Sequence, residues 1–210
     1  VAEYRPVEPA RFVIDTPDKE NAMLFARVDL PANLSDADMP ALITADWIIG
    51  GSDGLSNRIV NRLRQKEGLS YGSGSNITLP SFGNRAKWSV GAIVAPQNLA
   101  QAEKSLKDEL ARAYRDGITE AELAEAKRGI IGSRAVNRAQ DGMVASNWVN
   151  NLETGRTWQF SKETEAAIEA LTVEDVNKAL RRFCDVSKLT FALAGDLAKA
   201  KAAGKDFTQP

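Results

Sequence analysis

At 210 residues the chain is long enough to bury a sizeable core, and its 43% apolar and 26% charged residues give it the composition of a globular domain. Its 27 basic and 28 acidic residues leave a net charge of −1 and are spread along the chain, which argues against a nucleic-acid partner. No apolar run approaches the roughly 20 residues of a membrane-spanning helix, and the complete absence of histidine removes the commonest catalytic base and the commonest protein ligand for zinc.

The opening, VAEYRPVEPARF, has no initiator Met and no signal-like apolar stretch. A piece of a longer polypeptide or a processed product is therefore expected, with residues 1–10 as a connector, 11–198 as one domain and 199–210 as a tail. RFVID reads as a short strand, and TPDKEN after it is rich in turn formers. In AMLFARVDL, Leu24, Ala26, Val28 and Leu30 alternate with Arg27 and Asp29, as in a half-buried strand. Ser35 with Asp38 has the spacing of a capping box, which predicts a helix running from there to about Ile49 and stopping at Gly50-Gly51. A second helix is predicted from Leu55 to Lys66, ended by Gly68 in a left-handed conformation.

Two strands follow, Ser70 to Leu79 and Lys87 to Val94, joined through PSFGN as an antiparallel hairpin. After Pro96 the period changes: Leu99, Ala102, Leu106, Leu110 and Ala113 recur every three or four residues, the pattern of an amphipathic helix. Thr119 and Glu122 form a capping box for the next helix, residues 140–154 and 162–170 also read as helical, and Thr172 caps a helix carrying Val176, Leu180 and Phe183. KLTFALAGD closes the series as a strand. Strands and helices do not alternate regularly, so the expected fold class is α+β: a mostly antiparallel sheet with helices packed on one face.

Few residues carry a chemical signal. Cys184 is the single cysteine, so no internal disulfide can form, and with no imidazole to activate it, it reads as a small buried hydrophobe. The glycines of GGSDGLSNR and YGSGSN match neither a phosphate loop nor a dinucleotide fingerprint. Gly72 and Gly74 fall in a strand, where they would let another backbone approach closely. Glu103, Asp108, Glu109, Glu120, Glu122 and Glu125 have the spacing of solvated helix faces, and the four tryptophans are read as core.

The segment from Arg64 to Tyr71 is different: it sets an Arg at a helix end and a Tyr at a strand start, with Gly68 turning the chain between them. Such a turn can aim a guanidinium fork and a directed hydroxyl into one cavity. An exposed Arg beside a packed Tyr satisfies the same pattern.

The segment NRLRQKEGLSYGSGS resembles the Arg-and-Tyr segment of the second, non-zinc domain of pitrilysin/insulinase-type metallopeptidases, including mitochondrial-processing-peptidase-like members. The order of elements over residues 11–197 resembles that domain as well. The resemblance implies a metallopeptidase-like, pitrilysin-type domain. It also implies a partner, a zinc-bearing homologous domain on the same polypeptide or on a paired subunit, whose His-x-x-Glu-His holds the metal. In that arrangement Tyr71 would donate to the oxyanion formed from the peptide substrate, and Arg64 would hold backbone carbonyls. No cofactor is expected in this chain, since the corresponding window, Ile43 to Trp47, would put Ile and Trp at the ligand positions. The same fold is used by assembly subunits that act as scaffolds, which is the alternative reading.

Overall fold

The computed structural model describes residues 1–51 and 56–203. Its described strands form a single sheet in the order β1 (Arg11–Asp15), β5 (Thr190–Gly195), β2 (Ala22–Pro31), β4 (Arg85–Val94) and β3 (Ser70–Thr78). Three of the four pairings are antiparallel. The exception is β1 with β5, which run parallel: the last strand of the chain is inserted between β1 and β2 and runs antiparallel to β2. The sheet is therefore mixed, with the expected antiparallel majority.

Helices cover one face. They are α1 (Met39–Asp46), α2 (Arg58–Val60), α3 (Leu99–Asp116), α4 (Glu120–Arg138), α5 (Asp141–Glu153), α6 (Trp158–Ala170), α7 (Val173–Phe183) and a short α8 (Leu197–Ala202). Period-two alternation turns Leu24, Ala26, Trp88, Val90, Phe191 and Leu193 toward them, where they meet Leu42, Ile49, Leu63, Leu106, Leu110 and Leu180. Each such large side chain taken from water stabilises the fold by roughly 1.5–3 kcal/mol. At the centre the Trp88 ring lies 4.8 Å from that of Phe183. All five apolar positions of the period in α3, from Leu99 to Ala113, are buried as the sequence predicts.

Several boundaries differ from the sequence reading. The first long helix begins at Met39, not at Ser35, and the expected capping box does not form: the Asp38 carboxylate caps no backbone N–H and accepts from Arg182 instead, and the Ser35 N–H donates to Asn33 Oδ1 at 2.8 Å. Pro40 is the reason. Proline suits a first helical turn, but inside a helix begun at Ser35 it would remove a backbone bond and cost about 3 kcal/mol. The helix does reach Gly50-Gly51, but its last turn, Trp47–Gly51, is a wider π-turn. The second helix is capped by Asn57, whose Oδ1 accepts from Val60 N at 2.9 Å, and passes from α2 into a π-helical stretch, Asn61–Lys66. Its expected start at Leu55 lies outside the described residues.

The capping boxes at Thr119 and Thr172 both form. Helix α6 begins four residues ahead of the predicted position, where Thr157 accepts from Gln159 N. Helix α8 overlaps the segment expected as a tail; the Asp196 side chain caps it and Ala200 is buried.

Two burial assignments also change. Glu103 and Glu109 are buried, not solvated: Arg11 and Lys107 both bind Glu103, and Arg112 binds Glu109. Only Trp88 is a fully buried tryptophan. Trp148 is exposed and meets Trp158 edge-on at 5.9 Å on the outer helices.

Candidate functional site

The face of the sheet away from the helices is apolar and exposed at one end and charged at the other, where Arg27, Asp29 and Lys87 lie. Register puts Ile14, Ala194, Met23, Ile93 and Gly72 in one row across all five strands, with Phe12, Ala192, Phe25 and Gly91 in the next. Phe12, Ile14, Met23, Phe25 and Ile93 are each about half exposed. Contiguous exposed apolar surface of this kind marks an interaction face.

Tyr71 stands at the β3 end of that row. Ser70 pairs with Val94 and Gly72 with Ile93, so the strand carries one residue more than its partner, a β-bulge with Tyr71 as the extra residue. Bulges re-aim side chains and are common beside functional sites. The Tyr71 side chain is 86% exposed, which excludes the packed-Tyr reading of the sequence. Arg64 reaches the same place from the π-helical stretch, its Cζ lying 4.6 Å from the centroid of the Tyr71 ring. A guanidinium over the ring face leaves the phenol oxygen at the ring edge free, and no hydrogen bond to it is found among the described residues.

Local structure explains how the two side chains meet. Gly68 takes a φ of 62°, which lets the chain reverse sharply, and Leu69 N–H donates back to Leu63 O at 2.8 Å. The turn is anchored to α3 through Glu67, which accepts from Ser105 Oγ at 2.5 Å and pairs with Arg62. Behind β3, the π-turn lies so close that a Cβ on Gly50 would meet Ser75 N at 2.7 Å. A Cβ on Gly74 would meet Gly50 O at 3.0 Å, the close backbone approach expected there; Gly72 has open space instead.

Asp46 fixes the other half of β3. Its carboxylate accepts from Ser75 Oγ at 2.6 Å, Ile77 N at 3.1 Å and Trp88 Nε1 at 2.7 Å. Burial pushes this carboxyl above its ordinary range, and the three donors only partly offset that. This role is not legible in the sequence, because the donors lie some thirty to forty residues away and meet Asp46 only through the fold.

The chain's own donors do not fit a zinc ion. It has no histidine, Cys184 is fully buried with its thiol pushed well up by burial, and no cluster of three potential ligands occurs among the described residues. In the window where ligands would fall, Ile43 is apolar, Asp46 is occupied by three donors, and Trp47 packs against Gly129 of α4.

The family model described as the peptidase M16 inactive domain matches residues 2–130, more than half of the chain. Among solved structures, the fold is similar to that of a peptidase M16 inactive domain from Pseudomonas fluorescens, at a TM-score of 0.82 and 22% identity over 93% of this chain and 45% of that one. It is also similar to the inactive peptidase domain of a protein assigned as a zinc protease from Bordetella parapertussis, at a TM-score of 0.68 and 19% identity over 82% of this chain and 91% of that one. A third similar fold occurs in complex III of Candida albicans, at a TM-score of 0.73 and 17% identity over 93% of this chain and 48% of that one. None of the curated proteins matches the sequence.

Proposed function

The chain belongs to the peptidase M16 family as its inactive domain, and from that premise we propose that it supplies substrate and oxyanion contacts to a zinc-bearing homologous domain in peptide-bond hydrolysis. The chain spans about half the length of the first solved structure it matches, 45% of it, which leaves room in such proteins for a second domain of this size.

The observation that carries the proposal is the preassembled Arg64–Tyr71 pair at the end of the open apolar row. The zinc belongs to the partner, and this chain contributes two groups around the reacting peptide. The Tyr71 hydroxyl donates to the carbonyl oxygen as negative charge builds on it. The Arg64 guanidinium, held over the ring but with N–H groups around its edge, donates to neighbouring backbone carbonyls of an extended peptide. A donor fixed in place before reaction stabilises the developing charge without reorganising. Strand addition along β3 is limited to its start, because Ile77 N–H is already bound by Asp46 and Gly50 lies against Ser75. The peptide would therefore cross near Tyr71 and lie over Ile93 and Met23, with further main-chain pairing left to the partner domain.

The test is Tyr71→Phe in the complete protein with its zinc-bearing partner domain, assayed on peptide substrates. Loss of one such donor costs on the order of 10²–10³ in kcat, and KM should change little. Unchanged turnover would remove Tyr71 from the reaction. The second reading, an assembly scaffold, draws on the similarity of fold to complex III. It requires no function of Arg64 or Tyr71, so replacing both would leave assembly yield intact and no peptidase activity would exist to lose.

A further inference from the structure

The geometry points to Ser70 as a positioning residue whose hydroxyl holds the β3 bulge and thereby presents Tyr71. The inference rests on the proposed role of Tyr71 for its functional half, and on the fold alone for its structural half.

A bulge leaves ladder groups without their regular partners, and where the strand faces the interior those groups must be satisfied another way. Ser70 is 4% exposed, and its Oγ lies 2.9 Å from Gly72 O and 2.8 Å from Ile93 O. These two carbonyls flank the extra residue, one on each strand, so a single hydroxyl proton shared between them spans the irregularity. Ser70 itself remains in register with Val94. The extra residue between the two fixed points is Tyr71, which is pushed onto the open face and against Arg64.

The remainder of β3 cannot relieve the bulge by sliding. Asp46 holds Ser75 and Ile77 in place, and a slip of one residue would turn every side chain of the strand to the opposite face. The effect of losing the Ser70 hydroxyl is thereby confined to residues 70–72 and the facing Ile93, where it frees two carbonyls and lets the tyrosine wander. A misplacement of about 1 Å can cost on the order of 10² in rate even when binding survives.

The experiment uses the complete protein carrying Ser70→Ala, Ser70→Thr, Tyr71→Phe or Tyr71→Ala. NMR with labelled arginine guanidinium groups reads the ring-current shift of the Arg64 Nε–H, assigned by its loss in Tyr71→Ala. Ser70→Ala should abolish or broaden that shift with the melting transition still cooperative. Ser70→Thr, which keeps the hydroxyl, should restore it, and if the alanine variant does not fold the threonine variant is compared with Ser70→Cys. In peptide hydrolysis Ser70→Ala should lower kcat by about ten- to a hundred-fold while KM stays within about two-fold.

An unchanged Arg64 shift in folded Ser70→Ala overturns the structural half. A lost shift with normal kcat, in a protein where Tyr71→Phe does impair kcat, overturns the functional half. A lost shift with normal kcat in Tyr71→Phe as well overturns the reading of Tyr71 as oxyanion donor and leaves Ser70 as the residue that presents it.

Discussion

Asp46 shows how one buried carboxylate can tie a helix to two strands of a sheet. Its carboxylate gathers donors from β3 and β4 at the point where the helix meets the sheet, and Trp88, one of those donors, is the largest side chain of the core. Replacing Asp46 by Ala leaves an indole N–H, a backbone N–H and a hydroxyl without their acceptor in a buried site, and each buried unsatisfied group costs about 1–3 kcal/mol. The substitution should therefore destabilise the domain by about 3 kcal/mol or more, read as a lower denaturant midpoint at unchanged m-value. A midpoint within experimental scatter of wild type would show that water or rearrangement replaces the carboxylate. The sequence alone gives Asp46 no such weight: a single acid in an apolar helix reveals nothing of donors that arrive from other strands.

At the scale of the element, local rules held at Thr119 and Thr172, whereas the box expected at Ser35 gave way to Pro40. The box at Thr119 forms as read, with Thr119 Oγ1 accepting from Glu122 N at 3.2 Å and Glu122 Oε2 accepting from Thr119 N at 2.8 Å. Glu122 also takes a two-pronged bond from Arg58 at 2.7 and 2.8 Å, which the spacing could not foresee. Thr119→Ala should cost about 1 kcal/mol through the lost cap, while Glu122→Ala should cost more because it also strands the half-buried Arg58. Equal losses in thermal or chemical denaturation would mean that the Arg58 bond contributes nothing. Gly68→Ala addresses another element, the turn from the π-helical stretch into β3. Its left-handed φ of 62° is compatible with glycine and strained for alanine, although the space around it is open. A destabilisation of about 1 kcal/mol is expected, with the Arg64–Tyr71 contact weakened because both residues hang from this turn.

Over the whole molecule, charge burial sets the response to acid. Burial works against ionised Glu103, but hydrogen bonds from Arg11 and Lys107 outweigh it and hold the carboxyl below its usual range. Asp29 is likewise opposed by burial and held down by Arg27 and Arg85. A carboxyl whose folded pKa lies below the unfolded one stabilises the fold above the ordinary carboxylate range, and that contribution is lost as pH falls through the folded value. Asp46 has the opposite sign, because its carboxyl is raised by burial: protonation as pH falls through its folded value favours the fold. Denaturation midpoints should therefore fall in acid with a slope that Glu103→Gln reduces, whereas Asp46→Asn should remove an opposing gain at the higher-pH side of the acid limb. A Glu103→Gln profile superimposable on wild type would show the ion pairs with Arg11 and Lys107 to be energetically silent. At this scale the chain is also expected to retain no stoichiometric zinc on equilibrium dialysis. One tightly held ion per chain would contradict the donor set.

The sequence by itself determined the α+β class, the amphipathic faces, two capping boxes and the Arg64-to-Tyr71 segment, because each depends on residues a few positions apart along one backbone period. It also determined, through the absence of histidine, that a histidine-based zinc site cannot be built from this chain. Tertiary structure alone decided the parallel pairing of β1 with β5, the burial of Glu103 and Glu109, the acceptor role of Asp46 and the bulge that exposes Tyr71. Those features arise from contacts between residues far apart in the chain, whose free energy depends on which partner the fold brings near and on how little water remains there.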